Sequence, residues 1–256
     1  MAAERGKTAL VLSAGGMFGA YQAGAWRAMA RYFRPDLVVG ASIGSLNGWA
    51  IAGGCDPEAW LRMWLALTRG GTPGYRLPRS ILDGIMDPAP FEEWVGEIYR
   101  GFTPAVPAGV VMTEVPRMKP RLVQSPEVRW EHLAASCAVP GLLPLRRLDG
   151  KLYADGGTLN PLPLWAAAEM GATQIVAINV LLHAPASFQY AVRGLRAVAP
   201  KVPAVPEGIR VVTIAPARVL GSAKDAFEWR RENAEAWAAE GERDALDKEP
   251  LIRGML

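Results

Sequence analysis

Gly40-Ala41-Ser42-Ile43-Gly44 has the G-x-S-x-G spacing of a nucleophile elbow. In such an elbow a serine sits on a sharp turn between a strand and a helix. The flanking glycines let neighbouring backbone approach closely, and the turn exposes Oγ and aims a helix N-terminus at the reacting centre. The context needed is present: Leu37-Val38-Val39 reads as a buried strand before the turn, and Ser45–Ala52 as a helix after it. A plain glycine-bounded turn with an N-cap serine is the bland alternative.

A nucleophilic serine needs a base and an oxyanion hole. The only histidines are His132 and His183. His183 follows the serine in the order of an α/β-hydrolase triad, but that fold usually places its serine after several strands, and here only two precede it. Asp155 stands at the end of a strand, Leu152-Tyr153-Ala154, before Gly156-Gly157. From there a carboxylate can reach a neighbouring strand end. On composition alone Asp-Gly-Gly is equally a plain turn.

Ala14-Gly15-Gly16-Met17-Phe18-Gly19 follows the first strand and opens a helix. As a dinucleotide loop it fails at Ala14, where the first glycine belongs. The acidic residue expected after the next strand is also missing, because Asp36 begins that strand. Free backbone N–H groups at a helix N-terminus suit an oxyanion hole instead.

Elements that position these residues follow from the apolar pattern. Thr8–Ser13, Leu37–Val39, Val110–Glu114, Arg121–Gln124, Leu152–Ala154, Gln174–Val180 and Ile209–Ile214 read as strands. Helices are expected over about Phe18–Phe33, Ser45–Ala52, Pro57–Thr68, Trp130–Val139, Leu162–Met170 and Ser222–Asp247. The alternation gives one α/β domain over residues 1–256. Pro and Gly are frequent from Gly70 to Pro107, where loops, short helices or a lid-like insertion are expected.

Together the three motifs resemble the patatin-like phospholipases, whose pattern is a glycine-rich loop, then G-x-S-x-G, then a late D-G-G or D-G-A. Ala135–Gly141 and Leu145–Pro163 also look like that family's approach to its aspartate. The resemblance runs from about Thr8 to Val180. It implies a three-layer α/β/α fold with a mostly parallel central sheet, and a lipid acyl hydrolase. Ser42 would be the nucleophile and Asp155 its base, in a dyad without histidine. N–H groups of Gly15, Gly16 and Met17 would hold the oxyanion. Gly19, Gly40, Gly44, Gly156 and Gly157 would support the motifs. No metal or cofactor is implied. The partner would be a lipid or other acyl ester, with peripheral membrane contact.

Two positions depart from that pattern: Ala14 replaces a glycine, and Phe18 replaces an Arg or Lys. The second removes a cation beside the hole, which keeps open a catalytically weak lipid-binding protein on the same fold. Half the residues are apolar and 21% charged, a globular balance. A net charge of +3 without a basic block argues against nucleic acid and is compatible with an anionic membrane surface. Cys55 and Cys137 lack metal or disulfide spacing and read as small core residues. The polar start before Thr8 and the lack of a long apolar run lead to a cytoplasmic expectation.

Overall fold

Alternating apolar side chains on successive strands determine two buried faces, and helices cover both. The computed structural model describes residues 6–67, 74–78, 80, 82–184, 190, 193–194 and 202–256. The strands are β1 (Lys7–Leu12), β2 (Leu37–Ala41), β3 (Ala108–Val115), β4 (Lys119–Gln124), β5 (Arg146–Leu148), β6 (Lys151–Ala154), β7 (Ala172–Ile178) and β8 (Arg210–Ile214). The helices are α1 (Gly19–Met29), α2 (Ile43–Ala52), α3 (Pro57–Ala66), α4 (Ala89–Gly101), α5 (Trp130–Ser136), α6 (Leu164–Glu169) and α7 (Arg231–Met255). Leu10, Leu12, Val38, Val110, Met112, Val176 and Ile178 join one core, with buried residues of α1, α2, α3, α4, α5 and α7. Ala9, Val11, Val39, Ala41, Val111, Ile175 and Ala177 join the other, with Trp165, Ala166 and Ala167 of α6. Odd and even residues thus face opposite helical layers, the period of two expected of strands covered on both sides.

Among the described residues one sheet contains all eight strands, in the order β5-β6-β3-β2-β1-β7-β8, with β4 as a further partner of β3. Strands β8, β7, β1, β2 and β3 are mutually parallel. Three strands pair with β3. β4 takes one edge along Gly109–Glu114. The other edge is shared end to end: β2 pairs with Ala108–Val111, and antiparallel β6 pairs with Thr113–Val115. The C-terminal ends of β2 and β6 therefore meet head on across the middle of β3. Each residue immediately beyond those ends carries one of the motifs.

The sequence and structure differ at three elements. The segment read as loops and short helices contains α4, thirteen residues long, with Val95 and Ile98 buried. Its start carries Pro88 and Pro90, which are tolerated in a first turn because those N–H groups have no helical partner. Trp94 packs edge-on to Trp64, and Tyr99 stacks on Trp49, so this helix is core rather than lid. Other parts of the expected insertion lie outside the described residues. Strand β5 was not anticipated. It forms a hairpin with β6 through Asp149 (φ 48) and Gly150 (φ 77), the two left-handed residues of a primed turn. Finally, the last helix begins at Arg231 rather than Ser222, because Asp225 accepts hydrogen bonds from Ser222 N and Oγ and closes a local turn. It also runs on past the expected end at about Asp247, through Pro250, to Met255.

Candidate active site

Ser42 follows β2 and stands immediately before α2, with φ 54 and ψ −132. Positive φ in a non-glycine residue costs of order 1–3 kcal/mol and persists only where surrounding packing enforces it. Here the enforcement is steric and polar. A Cβ on Gly40 would lie 2.1 Å from the Gly44 carbonyl, and one on Gly44 would lie 2.5 Å from the Leu12 and Ser13 carbonyls. The chain can therefore double back only with glycine at both places. Ser45 N and Oγ both donate to the Ser42 carbonyl, at 2.8 and 2.7 Å. Ser42 N donates to Ser136 Oγ at 2.9 Å.

The glycine loop lies beside this elbow because β1 pairs with β2 in parallel, Leu12 opposite Gly40. Ser13 N donates to Ile178 O, and Ala14 N to Pro161 O, which anchors the loop from both sides. The N–H groups of Gly15 and Gly16 donate to no described residue. Gly16 has φ +56, and a Cβ there would lie 2.1 Å from the Ala226 carbonyl. Met17 differs from its expected place in the hole: its N–H is already bonded to Ala226 O at 2.9 Å. The loop donors left without a described acceptor are Gly15 and Gly16. Ala14, buried, makes the tolerated contact that a small residue permits: a Cβ on Gly157 would lie 2.4 Å from its own Cβ.

Phe18 does not face the loop as a missing cation would. It is buried, with its ring edge-on to Trp237 of α7 at 4.9 Å between centroids. Gly19 packs against Trp64 and Ile43.

Asp155 follows β6 and is 5% exposed. Its Oδ1 accepts from Gly157 N at 2.6 Å, and its backbone carbonyl accepts from Thr113 Oγ1 at 2.9 Å. Oδ2 is buried with no hydrogen-bond partner of normal geometry. Gly156 presses on the floor of the site, where a Cβ would come within 2.1 Å of the Val111 carbonyl. Burial pushes the Asp155 pKa up to about 7; the Ser42 hydroxyl and the Gly157 and Thr158 backbone oppose that shift. Serine and carboxylate are thus near enough to interact, with one carboxylate oxygen unbonded. Cys137, read as a core residue, is buried but also borders the site: burial and then Asp155 raise its pKa well above the usual thiol value, against the Ser42 and Ser45 hydroxyls. His132 is engaged elsewhere, its Nδ1 accepting from Arg129 N at 2.9 Å. His183 is exposed in the turn after β7.

Sequence reasoning missed the polar network that ties the motif helices together. Asn47 Nδ2 donates to Gly19 O and Gln22 Oε1, and Asn47 Oδ1 accepts from Trp60 and Trp64 Nε1. Gln22 Nε2 donates in turn to Ser13 O at 2.7 Å. A buried network in which every member is satisfied rigidifies its surroundings, and deleting one member strands the rest. Asn47→Ala is expected to lower unfolding free energy by about 3 kcal/mol. Urea denaturation checks this; a change under about 0.5 kcal/mol would contradict it, being no more than an ordinary surface substitution.

Elbow serine, glycine loop and buried carboxylate stand together at the C-terminal edge of a mixed α/β sheet. The family model described as patatin-like phospholipase matches residues 10–168. The chain belongs to the patatin-like phospholipase family. It is 27% identical over 184 residues to patatin-like phospholipase domain-containing protein 7 of Rattus norvegicus, and equally so to that of Mus musculus. Each match covers 67% of this chain and only 13% of the relative's length. Among solved structures, VipD from Legionella pneumophila shares the fold, with a TM-score of 0.55 and 12% identity over 96% of this chain and 67% of that one.

Proposed function

We propose that this protein is a serine acyl hydrolase of lipid esters, with Ser42 as nucleophile and Asp155 as its base. The observation that carries the reading is the head-on meeting of β2 and β6, which brings a strained serine and a buried, half-bonded carboxylate to one spot. Asp155 accepts the hydroxyl proton as Ser42 Oγ attacks the ester carbonyl. The Gly15 and Gly16 N–H groups stabilise the oxyanion. Asp155 then passes the proton to the leaving alcohol, and water cleaves the acyl-enzyme with Asp155 again as base. Family membership supports a lipid as the acyl donor.

The test is turnover of short- and long-chain acyl esters by the purified protein, with Ser42→Ala as control. Hydrolysis lost in the control supports the reading. Lipid binding without turnover would favour the weakly catalytic alternative. His183→Ala is expected to keep most of the activity; a loss of about a thousandfold in a folded variant would point to a triad instead.

Lipid esters are presented at membrane surfaces, and one segment suits contact with them. Tyr75, Leu77, Leu82 and Ile85 are exposed large apolar residues on one stretch of chain. That stretch is bonded to the loop leaving the site, through Ile85 N to Gly141 O, Met86 N to Leu142 O and Leu145 N to Leu82 O. No helix among the described residues is long and apolar enough to cross a membrane. Leu77→Asp is expected to weaken sedimentation with phospholipid vesicles about tenfold while sparing hydrolysis of a soluble short-chain ester. Equal sedimentation of variant and parent would remove this segment from the contact.

A further inference from the structure

We propose that Ser136 is a positioning residue for Ser42: its hydroxyl replaces the last rung of the β2–β3 ladder and sets where the nucleophile leaves the sheet. This rests on the hydrolase reading above. The ladder itself shows the replacement. Val38 N donates to Pro107 O at 2.9 Å, with Val38 opposite Ala108. Parallel pairing repeats every second residue, so the same rule pairs Gly40 N with Gly109 O and Ser42 N with Val111 O. The last of these bonds is not made. Ser136 Oγ stands between the two groups, accepting from Ser42 N at 2.9 Å and donating to Val111 O at 2.7 Å.

A direct bond would bring N and O to about 2.9 Å, whereas an interposed hydroxyl holds them roughly 4.5 Å apart. The strand end is opened by the width of one oxygen, and the chain turns out of the sheet at the residue with φ 54. Ser136 and Ser42 are both buried, so water does not compete readily for these bonds.

The carboxylate is held from the same floor. Thr113, two residues after Val111, donates its hydroxyl to the Asp155 carbonyl at 2.9 Å. Gly156 lies against the Val111 carbonyl itself. The gap between Ser42 and Asp155 is thus determined by what each is tied to on β3. Without the Ser136 hydroxyl, Ser42 N either closes on Val111 O or is left unpaired, and Oγ moves. A shift of about 1 Å in a reacting atom costs about a hundredfold in rate. Ser136 is 0% exposed and cannot touch substrate, so binding should be spared.

Kinetics of Ser136→Ala, Ser136→Thr and Ser136→Cys on a soluble acyl ester test this. Ser136→Ala is expected to lower kcat about a hundredfold with KM within about twofold, and to slow fluorophosphonate labelling of Ser42 by the same factor. Its acid limb should move to higher pH, because a displaced Ser42 hydroxyl no longer favours the Asp155 anion. Ser136→Thr keeps the oxygen and should recover most of the rate. Ser136→Cys keeps the volume but bonds weakly, so it gives the same kcat–KM split if Ser136→Ala does not fold. Wild-type turnover with unchanged kcat in the Ala and Cys variants would overturn the positioning role alone. Absence of wild-type turnover and labelling would overturn the hydrolase reading, and the positioning role with it.

Discussion

Ser42→Ala is expected to lower kcat by about 10⁴-fold or more, with KM little changed and the fold retained. In the proposed mechanism the hydroxyl oxygen makes the bond to the acyl carbon, and no neighbouring group can stand in for it. Ser45 Oγ is committed to the Ser42 carbonyl, and burial keeps the Cys137 thiol neutral. What survives is the oxyanion hole and binding, which act without a covalent intermediate. Alanine can occupy φ 54 about as well, or as poorly, as serine, so the elbow should keep its path. Circular dichroism matching the parent, with turnover lost, is the expected pair of results. Retained turnover would place the nucleophile elsewhere.

Asp155→Asn is expected to lower kcat about a thousandfold, and its pH dependence separates a base from a structural carboxylate. Burial raises the Asp155 pKa to about 7. Below that pH the carboxyl is neutral and cannot accept the Ser42 proton, so kcat/KM should fall about tenfold per pH unit. Above it the rate should level off. The variant's residual rate should lack that limb.

Stability should move the other way. The folded-state pKa lies above the unfolded value of about 3.9, so folding favours the protonated form. The resulting stability is fully present below the unfolded pKa and is lost as pH rises through about 7. Asparagine carries no charge to bury. The thermal midpoint of Asp155→Asn relative to the parent should therefore climb between about pH 4 and pH 7 and level off above that. A difference that stays flat would mean that the carboxylate does not titrate in this range.

The three motifs were legible because each is local. Glycines at 40 and 44 are forced by carbonyls within the same turn or its parallel neighbour, and such spacing is written along the chain. Strand and helix periods gave the layers, since buried strands are continuous apolar runs. The head-on junction of β2 and β6 was not legible. It depends on β6 taking the edge of β3 that β2 vacates, and nothing within Leu152–Ala154 encodes which edge it takes.

Side-chain bonds across long sequence separations were equally hidden. Ser136 was visible only as part of a matching stretch, because its bond to Ser42 spans 94 residues. The Met17 donor was misread for the same reason: Ala226, which takes its N–H, lies in a turn far along the chain. Phe18 stands out in the sequence only as a departure from the family pattern, while its partner Trp237 belongs to the last helix.

The most direct measurement is the rate and site of fluorophosphonate labelling as a function of pH, with the modified peptide identified by mass spectrometry. Labelling confined to Ser42, rising through about pH 7 and abolished or strongly slowed in Asp155→Asn, is the expected result. Labelling at another residue, or at Ser42 with a rate indifferent to both pH and Asp155, would contradict a serine activated by that carboxylate.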